Sequence, residues 1–238
     1  MQLKKHLTTF ERTFGLIFSG AFNFREPPDG FEFEVHRAHP EWKLPLSPDK
    51  ISLRVPSEGR LSEETIITIG RDMALDYYEK HPEANYPFQI AGIPNAGNLL
   101  AQGFFDAWPV KGQITLLKLF KVGEGKGVIS EKIEGNYDPE KPTKLIDDCI
   151  TKGGSKKSAL VVLPAEEVIV YVNRKQGGKE FLESQGKKCH AVLDYHKALN
   201  ICLEEDWIKK IVFVRTVSFP HILDAAIAAA QCQLRAPE

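Results

Sequence analysis

The chain has 238 residues, 42% hydrophobic and 26% charged, with 31 basic and 32 acidic side chains and a formal net charge of −1. That length carries a sizeable core without disulfide or metal staples, and the balanced charge excludes bulk attraction to nucleic acid or to an anionic membrane. Four cysteines, Cys149, Cys189, Cys202 and Cys232, have no CxxC or zinc-ligand spacing and read as free thiols of a reducing, cytoplasmic compartment.

In chain order, residues 1–20 are basic, but their apolar run is broken by Gly15 and ended by Ser19, which is not a signal-peptide pattern. No segment is expected to reach the roughly 18 apolar residues of a membrane span. Residues 23–60 are irregular and rich in Pro, Glu and Arg; about 1–60 is expected to form a small hood, with a core over about 61–238. "FQIAGIPNAGNLLAQGFFDA" then reads as a strand over 88–93, a turn over Pro94 to Gly97 and a helix. "QITLLKLF" at 113–120, "KLID" at 144–147, "EVIVYV" at 167–172 and "KIVFVR" at 210–215 read as further strands. Helical patterns at 156–163, 178–185 and 195–204 separate most of them. Apolar, β-branched strands alternating with helices predict an α/β fold, a parallel sheet covered on both faces. Residues 121–142 carry glycines, charges and prolines without apolar periodicity, and about 119–142 is expected to be a mobile loop. "ILDAAIAAAQCQL" closes the chain as an amphipathic helix.

The chemistry concentrates in "TKLIDDCITKGGSKKSAL", 143–160. Asp147 and Asp148 end an apolar run, and Thr151, Lys152, Gly153, Gly154 and Ser155 form a small turn before a helix. Ligands of open parallel sheets bind beyond the carboxyl ends of strands. Unpaired N–H groups at a helix start attract a phosphate, while carboxylates accept from ribose hydroxyls or help hold Mg²⁺. Acids, threonine, small turn and helix together describe a ribose-phosphate cradle; a turn capped by two aspartates is the plainer alternative. "GGSKKS" lacks P-loop spacing, and "GEGKG" at 123–127 is not GxGxxG.

"LIDDCITKGGS" resembles the phosphoribosyl pyrophosphate (PRPP) motif of type I phosphoribosyltransferases. Four further segments are similar to the orotate branch of that family: "PLSPDKISLR", "IAGIPNAGNLLA", "LLKLFKVGEGKGVISEKIEG" and "YVNRKQGGKEFLESQGKKCHAVLDYHKAL". Together they run in family order over roughly 45–205. The resemblance implies transfer of phosphoribosyl from PRPP to orotate, giving orotidine 5′-monophosphate and pyrophosphate. It implies Mg²⁺ held through PRPP, with Asp147 and Asp148 as candidate ligands, and a homodimer whose loops reach the neighbouring site. It places Asp147 and Asp148 at the ribose and Thr151 to Ser155, Lys152 included, at the 5′-phosphate. It further places Asn95, Ala96 and Gly97 at the pyrophosphate, Arg174 with Thr151 at orotate, and Lys118 and Lys121 as catalytic lysines. Leu117, Gly123, Ala96 and Asn173 depart from the family pattern. They leave open a phosphoribosyltransferase for another base, or a weakly catalytic PRPP-binding regulator.

Overall fold

The computed structural model describes residues 7–19, 21–26, 29–32, 34–51, 53, 61–122 and 128–233. The elements in chain order begin with α1 (Thr9–Phe18), β1 (Phe22–Phe24), α2 (Glu34–Ala38), a 3₁₀ turn (Pro40–Trp42) and β2 (Asp49–Ile51). There follow α3 (Glu63–Lys80), β3 (Phe88–Gly92), α4 (Ala96–Ala107), β4 (Ile114–Val122), β5 (Val128–Glu134) and β6 (Thr143–Ile150). The last are α5 (Gly154–Val162), β7 (Glu167–Asn173), α6 (Gly178–Ser184), β8 (Lys188–Asp194), α7 (Tyr195–Glu204) and α8 (Lys210–Gln233).

Two compact units emerge, one of Met1–Arg12 with Leu53–Lys197 and one of Thr13–Ser52 with Ala198–Glu238. The first holds a six-stranded sheet in the order β5-β4-β3-β6-β7-β8, parallel except for the β4–β5 pair. Its central strands are apolar and unexposed, Leu145, Ile146, Val168, Val170 and Val172 among them. Chain reversal between them therefore needs helical crossovers, which the helices at 154–162 and 178–184 supply. From β3 the chain crosses to β4 on one side, whereas β6, β7 and β8 follow one another on the other side. The crossover direction thus reverses between β3 and β6, which is where an open sheet leaves a crevice at its carboxyl edge.

Three expectations need correction. "KIVFVR" is the start of α8, not a strand. Val212, Thr216 and Phe219 are its buried positions, a helical spacing, while Ile211 and Val214 face outward. Joined through Pro220 to the second apolar run, it forms 22 residues, Lys210–Gln231, long and apolar enough to cross a membrane by length and composition. The described residues of 121–142 are not structureless either, and 123–127 lie outside them. β4 runs on to Val122 and pairs with β5, which carries Glu131, Lys132 and Glu134 outward, with a register shift between Leu119 and Lys121. Lastly, 198–238 groups with 13–52 rather than with the sheet, as Trp207 packs edge-on against the stacked pair Phe14 and Phe18.

A buried ionic cluster ties α3 to the sheet unit's other elements. Arg12 pairs with Asp72 at 2.7 Å and Asp76 at 2.9 Å, and Asp76 also takes Lys80 at 2.9 Å and His190 of β8 at 2.9 Å. Burial works to raise the Asp76 carboxyl, but bonds from His190, Lys80 and Arg12 hold it down at about 2. A depressed carboxyl stabilises the native state above its unfolded value near 4, and that stability is lost as pH falls through 2. We expect Asp76→Asn to cost about 2 kcal/mol at neutral pH and to flatten the loss of stability between pH 4 and 2. Denaturant unfolding across that range measures both; an unchanged slope in the variant would remove Asp76 from the acid response.

Candidate functional site

β6 outruns β3. Their last pair is Gly92 with Ile146, so Asp147 to Ile150 are flanked only by β7. On the β3 side the vacated space is turned over to Pro94 to Gly97. Ile93 N–H donates to Ile146 O at 2.8 Å, and Gly97 N–H donates to Ile93 O at 3.0 Å, closing the turn that starts α4. Asn95 is exposed there, Ala96 half-buried and Gly97 buried. Lys118 lies beside Gly92 on β4, exposed, its Nζ 5.4 Å from the Phe120 ring centroid. Lys121 follows on the hairpin arm opposite Ile129. Lys121, expected on the mobile loop, thus stands with Lys118 on a strand, because pairing with β5 continues where β3 has ended.

On the β6 side the turn 151–153 is short because Gly153, at φ 82°, occupies the left-handed region open to glycine. Lys157 N–H donates to Gly153 O at 3.0 Å as the first helical bond of α5. The N–H groups of Gly154, Ser155 and Lys156 precede that bond, as expected at a helix start. Thr151 is half-buried, while Lys152, Gly154 and Ser155 are exposed. The segment after β7 is stitched to this turn. Arg174 N–H donates to Ile150 O at 3.0 Å, and Gly178 N–H to Thr151 O at 2.7 Å. A Cβ on Gly178 would collide with that same Thr151 carbonyl. Arg174 is 7% exposed, its guanidinium carbon over the Tyr195 ring 5.1 Å from the centroid. Asn173 Oδ1 accepts from Lys175 N–H at 2.9 Å, an Asx turn that an aspartate would form equally well.

The paired acids are not equivalent. Asp148 is half-exposed, its Oδ1 accepting from Cys149 N–H at 2.6 Å. Asp147 is 6% exposed and does not face solvent as expected from its place at a strand end. Its Oδ2 takes Lys156 Nζ at 2.6 Å and its Oδ1 takes Asp148 N–H at 2.8 Å. Burial works to raise the Asp147 carboxyl, and the Lys156 ammonium pulls against it. Burial alone would lower Lys156, but the Asp147 carboxylate outweighs it and raises the lysine above its ordinary value. Burial, then Asp148, pushes the Cys149 thiol up to about 12, so it stays protonated and is no nucleophile at neutral pH.

Asp147, Asp148, Thr151 to Ser155, Asn95 to Gly97, Lys118 and Arg174 therefore share one edge of the sheet. Gly123 lies outside the described residues. Leu117 is 1% exposed, an alternating β4 position that faces the core. Lys156 and Tyr195 escape sequence reasoning. The signal for Lys156 is its spacing, three residues before Ala159 and seven before Leu163, on the apolar stripe of α5. A separate cavity of about 320 Å³, lined by His81, Glu167, Lys187, Cys189 and His190 among others, lies at the amino ends of β7 and β8. It sits at the far end from the turn and acids.

No family model matches the chain. A stretch of 72 residues, 28% of the chain, is 36% identical to uridine 5′-monophosphate synthase of Caenorhabditis elegans, and spans 14% of that protein. The fold resembles Leishmania donovani UMP synthase with a TM-score of 0.66 at 24% identity, covering 90% of this chain and 42% of that one. It also resembles the orotate phosphoribosyltransferase of Francisella tularensis, with a TM-score of 0.60 at 12% identity over 89% of this chain and 98% of that one. The chain has the phosphoribosyltransferase fold. Within that fold the reversal between β3 and β6, the acid pair and the glycine-bearing turn occupy one crevice.

The contact between Gly178 and Thr151 gives a direct test of how this crevice is held. Gly178→Ala should cost about 1–3 kcal/mol by overpacking. Gly154→Ala, whose Cβ meets nothing within 4 Å, should stay within about 0.5 kcal/mol. Thermal melts of the two variants check the ranking, and equal losses would contradict the close approach.

Proposed function

We propose that the chain transfers a phosphoribosyl group from PRPP to orotate, releasing pyrophosphate and forming orotidine 5′-monophosphate. The observation that carries this reading is the acid pair and glycine turn of 147–155, seated where the crossover direction reverses and stitched to the Arg174 segment. The start of α5 offers backbone N–H groups and the positive end of a helix to a 5′-phosphate. Asp148 accepts from ribose hydroxyls. Lys118, with Lys121 further along the strand, supplies positive charge against the pyrophosphate as charge grows on it. Arg174, lying over the Tyr195 ring, presents a planar donor fork to a carboxylated pyrimidine, a geometry lysine lacks.

Mg²⁺ fits this site in a restricted way. Among the described residues no group of three or more His, Cys, Asp or Glu is set to hold a metal, and an ammonium already occupies Asp147. A Mg²⁺ ion that keeps most of its ligands from phosphate oxygens and water needs few from protein, and Asp148 is the carboxylate here that suits it. The ion would neutralise leaving-group charge.

The homodimer belongs to the same reading and rests on the family resemblance, while a cytoplasmic location rests on the scattered cysteines without disulfide or zinc spacing. Against a membrane role for α8 stand Arg215, His221 and Asp224 inside its apolar stretch, ionisable groups that are costly in lipid.

Orotate absorbance, followed with PRPP and Mg²⁺ present or omitted singly, tests the reaction. We expect PRPP-dependent loss of orotate, reduced at least a hundredfold in Asp148→Asn. PRPP binding without orotate loss, with turnover of a different base in a panel, would reassign the acceptor. Binding without turnover of any base would make the protein a PRPP-responsive regulator.

A further inference from the structure

An α5 built only for packing would carry an apolar side chain at position 156. Lys156 and Ala159 are its buried residues, and the lysine is 4% exposed. A buried ammonium is tolerated only where charge and hydrogen bonds compensate it. Here Nζ reaches back under the turn to Asp147 Oδ2 at 2.6 Å, donates to the Cys149 carbonyl, and lies 3.3 Å from Ser155 Oγ. One side chain thus bridges the end of β6, the residue after the acid pair and the first turn of α5. With Asp148 N–H on Oδ1, both oxygens of Asp147 are engaged by the chain itself.

We propose that Lys156 is a positioning residue that withdraws Asp147 from the ligand, making it the internal counter-ion of the phosphate turn and leaving Asp148 as the single carboxylate that meets the ribose. This rests on the phosphoribosyl reading above. The two adjacent acids then have separate duties. Asp148 binds, while Asp147 with Lys156 sets the spacing between the strand end and the helix start that receives the 5′-phosphate.

The test measures PRPP affinity by calorimetry with Mg²⁺ for the full-length chain and for Lys156→Met, Asp147→Asn, Asp148→Asn and the double variant Lys156→Met/Asp147→Asn, with thermal melts alongside. Asp148→Asn should lose affinity at least tenfold, as should each single change in the buried pair, which strands an uncompensated group. The double variant, with no charge left to strand, should recover to within about threefold of the natural chain. If Asp147→Asn and the double variant bind as poorly as Asp148→Asn, Asp147 touches the ligand and the proposal fails. Single variants that melt earlier yet bind PRPP normally when folded would also overturn it, since the pair would then be structural alone. Should Lys156→Met not fold, the comparison of the double variant with Asp148→Asn still decides. Failure of the natural chain to bind PRPP would instead remove the phosphoribosyl reading itself, an outcome separate from a bound but uncoupled pair.

Discussion

The four residues by which β6 extends past β3 govern the geometry of the carboxyl edge. Because β3 stops at Gly92, its chain must turn away through Asn95 to Gly97, and because β6 continues to Ile150, its own turn opens one layer higher. The offset sets two helix starts, α4 and α5, at different heights along the same edge of the sheet. Hydrophobic burial of Leu145 and Ile146 on one side of the offset, and of Val170 and Val172 beside it, fixes the register that maintains it.

Polar groups are buried around this frame in paired sets, which is what low dielectric demands. At the amino end Lys144 bridges Glu166 and Glu167 at 2.9 Å each, with Tyr77 donating to Glu167 at 2.6 Å. Behind it lies the Arg12, Asp72, Asp76 and His190 cluster, and at the carboxyl end the Lys156 and Asp147 pair. Each would be destabilising if one partner were removed, and together they restrict how the helices can slide over the sheet.

Much of this was legible from residue order. The strands at β3, β4, β6 and β7 are short apolar runs with glycine or proline nearby, and the helices after β6, β7 and β8 have clear periodicity. The spacing of the paired acids and glycine turn left a capped turn open beside a ribose-phosphate cradle, and the resemblance to the phosphoribosyltransferase motif favoured the cradle. What escaped has physical causes. The run 210–215 is β-branched but is outvoted by the helix it belongs to, since Val212, Thr216 and Phe219 bury at helical intervals. β5 is charged and glycine-flanked, and its strand character comes from pairing with β4 rather than from its own pattern. β8 mixes Lys, Cys and His into its apolar residues, and so hides its alternation. The inequality of Asp147 and Asp148 depends on Lys156, further along the chain on α5, whose side chain returns to Asp147.

The charged hairpin strand β5 has a consequence for how copies of this chain meet. It closes one flank of the sheet, and a sheet edge of unpaired backbone groups is a template onto which an extended peptide can add. Glu131, Lys132 and Glu134 on that strand, together with the shift in pairing near Leu119, make the flank hydrophilic and locally twisted. A neighbouring copy that tried to continue the sheet there would meet three exposed charged side chains. Fibre-like stacking through this flank is therefore disfavoured, and crowded solutions of the protein are protected from strand-by-strand growth along that side.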